Sequence, residues 1–267
     1  MKERPVGIFD SGIGGLTVLK EIRKVLPEES TVYLGDTARV PYGTKSGETI
    51  KRYSLENAGF LLKHGIKLLV VACNTASAYA LEELKHNLAV PVIGVILPGA
   101  RQAVMKSRLK RVGVIGTEGT IKSGAYFDAI KGIDPRVVVF PAACPLFVPL
   151  VEEGWTDCDV TRLVVKIYLK DMKKERIDVL LLGCTHYPLL KNAIGEFMGE
   201  ETNIIDSASA TAVEVKRVLS EKGLLNKGHG TTARFFVTDS PERFTNVGAI
   251  FLDNGELTKA ELVKVDG

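Results

Sequence analysis

Residues 70–77, Val-Val-Ala-Cys-Asn-Thr-Ala-Ser, and residues 180–188, Leu-Leu-Leu-Gly-Cys-Thr-His-Tyr-Pro, carry one pattern twice. Each is a short apolar run that stops at a cysteine, passes through a polar pair and enters a segment able to start a helix. A buried parallel strand reads as such a run, because helices cover both of its faces. In an open α/β sheet, ligands bind beyond the carboxyl ends of the strands, where loops and helix amino termini meet. Two thiols in matching positions, one in each half of the chain, therefore predict a single site with a sulfur on either side. Two unrelated core cysteines would give the same letters, since a lone cysteine is more often a small buried hydrophobe.

The rest of the chain supplies the frame. Strand-like runs at 6–9, 31–34, 68–72 and 92–95 alternate with helical patterns at 16–26, 46–64 and 76–87. This is the signature of parallel βαβ units. The pattern then restarts, with strands expected at 112–115, 137–140, 179–182 and 203–205, a helix at 123–130, and helix within 145–174. Asp10 and Cys73 lie 63 residues apart, and Thr117 and Cys184 lie 67 apart. The expectation is an α/β chain of two pseudo-symmetric domains, each a parallel-type sheet flanked by helices, with the site in the cleft between them. A helix at 208–223, a strand at 233–238 and a helix at 241–252 return to the first domain. The boundaries expected are 1–97 plus 209–267 for one domain and 98–208 for the other, with Leu97-Pro98-Gly99 as the crossing.

Composition excludes several classes of partner. Formal net charge is +3, from 35 Lys+Arg against 32 Asp+Glu, which gives no electrostatic case for nucleic acid or an acidic membrane. The longest apolar runs fall far short of the roughly 20 residues a bilayer requires. No signal-peptide core precedes the first strand, so a cytoplasmic location is expected. Four cysteines without a Cys-x-x-Cys make no disulfide framework, and Cys184-x-His186 lacks a companion pair for a metal, so none is expected. Cys144 and Cys158 read as buried hydrophobes. Gly12-Ile13-Gly14-Gly15 lacks dinucleotide spacing because position 17 is threonine, and Asp10 beside it would repel phosphate.

The reactive form of cysteine is the thiolate, which a helix amino terminus favours. Both Cys73 and Cys184 are expected in that setting. Inverting a carbon centre requires one group to remove a proton from one face and another to deliver one to the opposite face. Two opposed thiols suit that task. Asp10-Ser11 ends the first strand and is able to orient or deprotonate a neighbouring thiol, as is His186 on the other side. Glu152 and Glu153 read as a solvated helix end. Asn74, Thr75, Thr185 and the Tyr42-Gly43 backbone offer hydrogen bonds to a small anion.

These residues carry a resemblance. The runs Gly7–Leu16, Asp36-Thr37 with Pro41-Tyr42-Gly43, Ala72–Ala76, Cys144-Pro145-Leu146 with Glu152, and Gly183–Pro188 resemble the glutamate racemases of the cofactor-independent aspartate/glutamate racemase superfamily. The resemblance implies that Cys73 acts on D-glutamate and Cys184 on L-glutamate, without a cofactor. It also implies that Asp10 assists Cys73, while Glu152 and His186 assist Cys184. Asp10, Cys73, Cys184 and His186, with Ser11, Pro41, Tyr42, Gly43, Asn74, Thr75, Thr117 and Thr185, are expected to hold the substrate. A homodimer that supplies D-glutamate for peptidoglycan completes the implication. The competing readings are the same chemistry on aspartate and a non-catalytic binding role.

Overall fold

Val6–Asp10 (β1) is buried at every residue, as a strand covered by helices on both faces must be. The structure is a computed structural model that describes residues 1–226, 228, 231–252, 257 and 259–265. After β1 come α1 (Leu16–Val25), β2 (Thr31–Gly35), α2 (Gly47–Lys63), β3 (Leu68–Val71), α3 (Asn74–Asn87) and β4 (Val92–Gly94). The second half runs α4 (Ile96–Lys106), β5 (Arg111–Gly116), α5 (Glu118–Lys122), α6 (Ala125–Ile133), β6 (Val138–Ala143), α7 (Phe147–Glu152) and α8 (Asp159–Lys174). It ends with β7 (Val179–Gly183), α9 (Lys191–Met198) and β8 (Asn203–Asp206). Four elements close the chain: α10 (Ser207–Glu221), β9 (Ala233–Val237), α11 (Pro241–Gly248) and β10 (Glu261–Leu262).

Two parallel sheets result. The first has the order β10-β9-β2-β1-β3-β4 and the second β6-β5-β7-β8. Without β9 and β10, both sheets follow the same rule, in which the second strand of the half lies outside the first and the third and fourth lie on its other side. The pseudo-symmetric α/β architecture read from the sequence is the one observed. The direction of winding reverses between β1 and β3 in one sheet and between β5 and β7 in the other. Such a reversal opens a crevice at the strand carboxyl ends. Asp10 and Cys73 flank the first crevice, and Thr117 and Cys184 the second.

Leu97-Pro98-Gly99, expected at the crossing, lies in the first turn of α4, between β4 and β5. The first four N–H groups of a helix have no partner within it, so Pro98 removes nothing there. Two local expectations need correction. The helix expected over 123–130 is α6, which starts at Ala125 after Gly124, whose φ of +70° suits glycine, and a separate short helix, α5, precedes it. Strand β6 extends through Pro141, which an edge strand tolerates because one of its sides is unpaired. The short β10 was not foreseen, and both of its residues are exposed. Residues 227, 229–230, 253–256, 258 and 266–267, at the end of the expected first domain, lie outside the described residues. Among the described residues no helix is long and apolar enough to cross a membrane.

Candidate active site

Cys73 follows β3 and caps α3, with the Ala76 N–H donating to its Sγ at 3.4 Å and its own thiol donating to Ser11 Oγ at 3.6 Å. Cys184 follows β7 directly, but a 3-10 turn (Tyr187–Leu190) comes after it instead of the expected α-helix. A cation takes over the role of a helix terminus there. His186 Nδ1 lies 4.0 Å from Cys184 Sγ, and its Nε2 lies 3.2 Å from Glu152 Oε1. Glu152, whose letters alone read as a solvated helix end and which the resemblance pairs with His186, is the partner of that buried histidine; Glu153 is the exposed one.

Between the thiols lies a cavity of about 340 Å³. Ser11, Pro41, Tyr42, Gly43, Cys73, Asn74 and Thr75 from the first half of the chain line it, with Thr117, Glu152, Cys184, Thr185 and His186 from the second. Gly12, Val40, Val148 and Pro149 also line it, and sequence reasoning missed them. Val148-Pro149 falls in the first turn of α7, and nothing in its letters marks it as a wall. Asp10, expected to touch the substrate, does not line the cavity. It is wholly buried behind the wall, its Oδ2 accepting the Gly12 N–H at 2.9 Å and its Oδ1 unpartnered.

The two sulfurs meet opposite fields. Burial, and then the Asp10 charge, push the Cys73 thiol up to about 12; the Ala76 N–H and Ser11 hydroxyl oppose this and lose. The helix terminus therefore does not make a thiolate of Cys73, contrary to expectation. Burial alone would lower His186, but Cys184 and Glu152 reverse this and raise it to about 10. The His186 hydrogen bond in turn holds Glu152 below the usual carboxylate range against its own burial, and Arg243 adds to the effect with Nη2 3.6 Å from Oε2. Asp10 is raised by burial, opposed by the His186 charge and by backbone N–H groups.

Close packing between the halves shapes the walls. A Cβ on Gly14 would collide with Thr185 Oγ1 and His186 Nδ1, and one on Gly43 would come within 2.7 Å of Thr117 Cβ. The glycines of the first loop thus admit the opposite half of the chain. Thr75, Thr117 and Thr120 join hydroxyls in a triangle with sides of 2.9, 3.0 and 3.0 Å. Behind the wall, Tyr42 donates its hydroxyl to buried Asp36, which also accepts from Arg39 Nε at 2.7 Å and Thr238 Oγ1 at 3.0 Å. These bonds tie the loop carrying Val40–Gly43 to the carboxyl end of β9. Cys144 is buried as expected. Cys158 is not; it is half-buried at the amino end of α8, with Sγ 3.6 Å from Thr161 Oγ1, and Thr161 lowers its pKa. Among the described residues no group of three His, Cys, Asp or Glu side chains is arranged to hold a metal ion.

A thiol at the switch point of each of two matching sheets, both facing one cavity, defines an isomerase of the amino-acid racemase class. The sequence model of the Asp/Glu/hydantoin racemase family matches residues 15–215. A glutamate racemase of Geobacter metallireducens is 58% identical over 253 residues, 94% of each chain. The crystal structure of glutamate racemase RacE1 from Bacillus anthracis superposes with a TM-score of 0.95 at 42% identity, covering 99% of this chain and 98% of that one. A glutamate racemase from Francisella tularensis, solved in complex with D-glutamate, gives 0.93 at 40% identity, covering 100% and 99%. The chain belongs to the Asp/Glu/hydantoin racemase family and, within it, to the glutamate racemases.

Proposed function

We propose that this chain interconverts L- and D-glutamate through Cys73 and Cys184, without a cofactor, and so supplies D-glutamate for peptidoglycan. The observation that carries the mechanism is the unequal setting of two equivalent sulfurs. His186, raised to about 10, sets a cation 4.0 Å from the Cys184 sulfur, whereas Cys73 is raised to about 12 and stays a thiol. A thiolate facing a thiol is the state that racemisation starts from. With L-glutamate bound, the Cys184 thiolate takes the α-proton and becomes a thiol. Cys73 delivers its own proton to the opposite face of the α-carbon and becomes a thiolate. The product is D-glutamate, and the reverse reaction begins from that second state.

An amino-acid α-proton is weakly acidic, so the site must favour the carbanion-like transition state over the bound substrate. The donors of the cavity wall serve that end. Ser11, Thr75, Thr117 and Thr185 offer hydroxyls, Asn74 an amide, and the starts of α3 and α5 bring backbone N–H groups to an anionic ligand. Asp10, hidden behind Ser11, acts on Cys73 through its charge. The relative from Francisella tularensis holds D-glutamate, which favours glutamate over aspartate as the substrate. In the same reading, residues 1–97 with 209–267 form one domain and 98–208 the other. The working form is a cytoplasmic homodimer; this part rests on family resemblance.

Circular dichroism of L-glutamate, and separately of L-aspartate, tests the reading with EDTA-dialysed protein and no added pyridoxal phosphate. Decay of the glutamate signal alone is expected. Decay with aspartate instead would keep the mechanism and change the substrate. Two steady signals with folded protein would sink it.

A further inference from the structure

Asn74 is the first residue of α3 and lines the cavity, yet only one end of its carboxamide is satisfied. Its Oδ1 accepts a hydrogen bond of 2.7 Å from the hydroxyl of Tyr126, which stands on α6 in the opposite half of the chain. Its Nδ2 is buried and without a partner. Buried donors are rarely left unpaired in native proteins. This one belongs to the cavity wall, where an acceptor would be a ligand. Tyr126 itself is buried and does not line the cavity.

The direction of the Tyr126 bond fixes the amide. Burial raises the phenol, so it stays protonated and has a proton to give. Asn74 Oδ1 can only accept, so the 2.7 Å bond takes the Tyr126 proton and leaves Nδ2 as the free end of the amide.

We propose that Tyr126 is a positioning residue: its hydroxyl holds the Asn74 carboxamide so that Nδ2 presents its protons to a carboxylate oxygen of the bound acidic amino acid. The inference rests on the reading above that Asn74 holds substrate. Without the hydroxyl, the amide is free to turn and offer its oxygen to the anion.

The test is steady-state racemisation in both directions for Tyr126→Phe, Asn74→Ala and the double variant, with near-ultraviolet circular dichroism to check folding. Tyr126→Phe is expected to raise KM for both enantiomers about tenfold, the size of one lost hydrogen bond, while kcat changes much less. Asn74→Ala should raise KM at least as far. The double variant should be no worse than Asn74→Ala, because Tyr126 acts only through Asn74. Losses that multiply in the double variant would overturn the proposal, as would an unchanged KM in Tyr126→Phe beside a raised one in Asn74→Ala. An unchanged KM in Asn74→Ala would instead remove the reading on which the proposal stands. If Tyr126→Phe does not fold, Tyr126→Met, which fills the space without a donor, carries the test: the same rise of about tenfold in KM for both enantiomers is expected, and no rise overturns the proposal.

Discussion

Cys73 and Cys184 occupy the same place in two copies of one architecture, yet their surroundings are opposite. The Cys73 side has a carboxyl behind it, Asp10, and only neutral groups within reach of the sulfur. The Cys184 side has an imidazole 4.0 Å from the sulfur, a carboxylate behind that and Arg243 beyond. Strand order places each sulfur, and the loops decide what charge stands beside it: a carboxyl behind Cys73 and an imidazole beside Cys184.

The largest test of that contrast is to remove each sulfur in turn. Cys73→Ser and Cys184→Ser should each lower racemisation by on the order of 10³-fold or more while remaining folded, since either step then lacks its acid or base. Rates of L- and D-glutamate turnover measure this directly. Full activity in either variant would end the two-thiol mechanism, because one sulfur would then suffice.

The sulfurs were legible in the sequence because an apolar run ending in cysteine recurs in each half, though two core cysteines would give the same letters. The two-sheet architecture came from the repeated alternation of strand and helix patterns. The asymmetry was less legible. Glu152 looks like any carboxylate at a helix end until α7 brings it to His186. The helix-terminus argument for Cys73 failed because burial outweighs a single 3.4 Å N–H contact. Tyr126 was invisible for a different reason. It sits 52 residues from Asn74 and meets it only because the two halves close on each other. Contacts within one element leave a periodicity to read, and contacts across the cleft do not.

The next test concerns direction. L- and D-glutamate have equal free energies, so kcat/KM must be the same both ways, and any bias must show in kcat with KM compensating. His186→Asn should lower kcat for L-glutamate about tenfold more than for D-glutamate, and Asp10→Asn should bias it the other way. Equal losses in both directions would make these residues general supports only. A pH profile sharpens the point. His186 is raised from 6.5 to about 10, so its imidazolium is fully present below its ordinary value and is lost as pH climbs through about 10. The L-glutamate kcat should fall on that alkaline limb. Glu152→Gln removes the hydrogen-bonding carboxylate that helps hold the proton, and should move the limb to lower pH. A limb that stays in place would mean Glu152 does not act on His186 in the working enzyme.

The smallest effect lies at the far end of the same chain of charges. Arg243 stands 3.6 Å from Glu152 Oε2, but its side chain is 61% exposed, so solvent screens most of the pair. Arg243→Gln should lower the L-glutamate kcat only about twofold at low ionic strength, and the difference should vanish near 1 M salt, where the Debye length is about 3 Å. Arg243 pairs with Glu152 on the Cys184 side, so the D-glutamate kcat should change less at any salt. A loss that persists in high salt would show that Arg243 works by packing against the Glu152 wall. A loss equal in both directions would separate it from the His186 side altogether, and the electrostatic contrast would then end at Glu152.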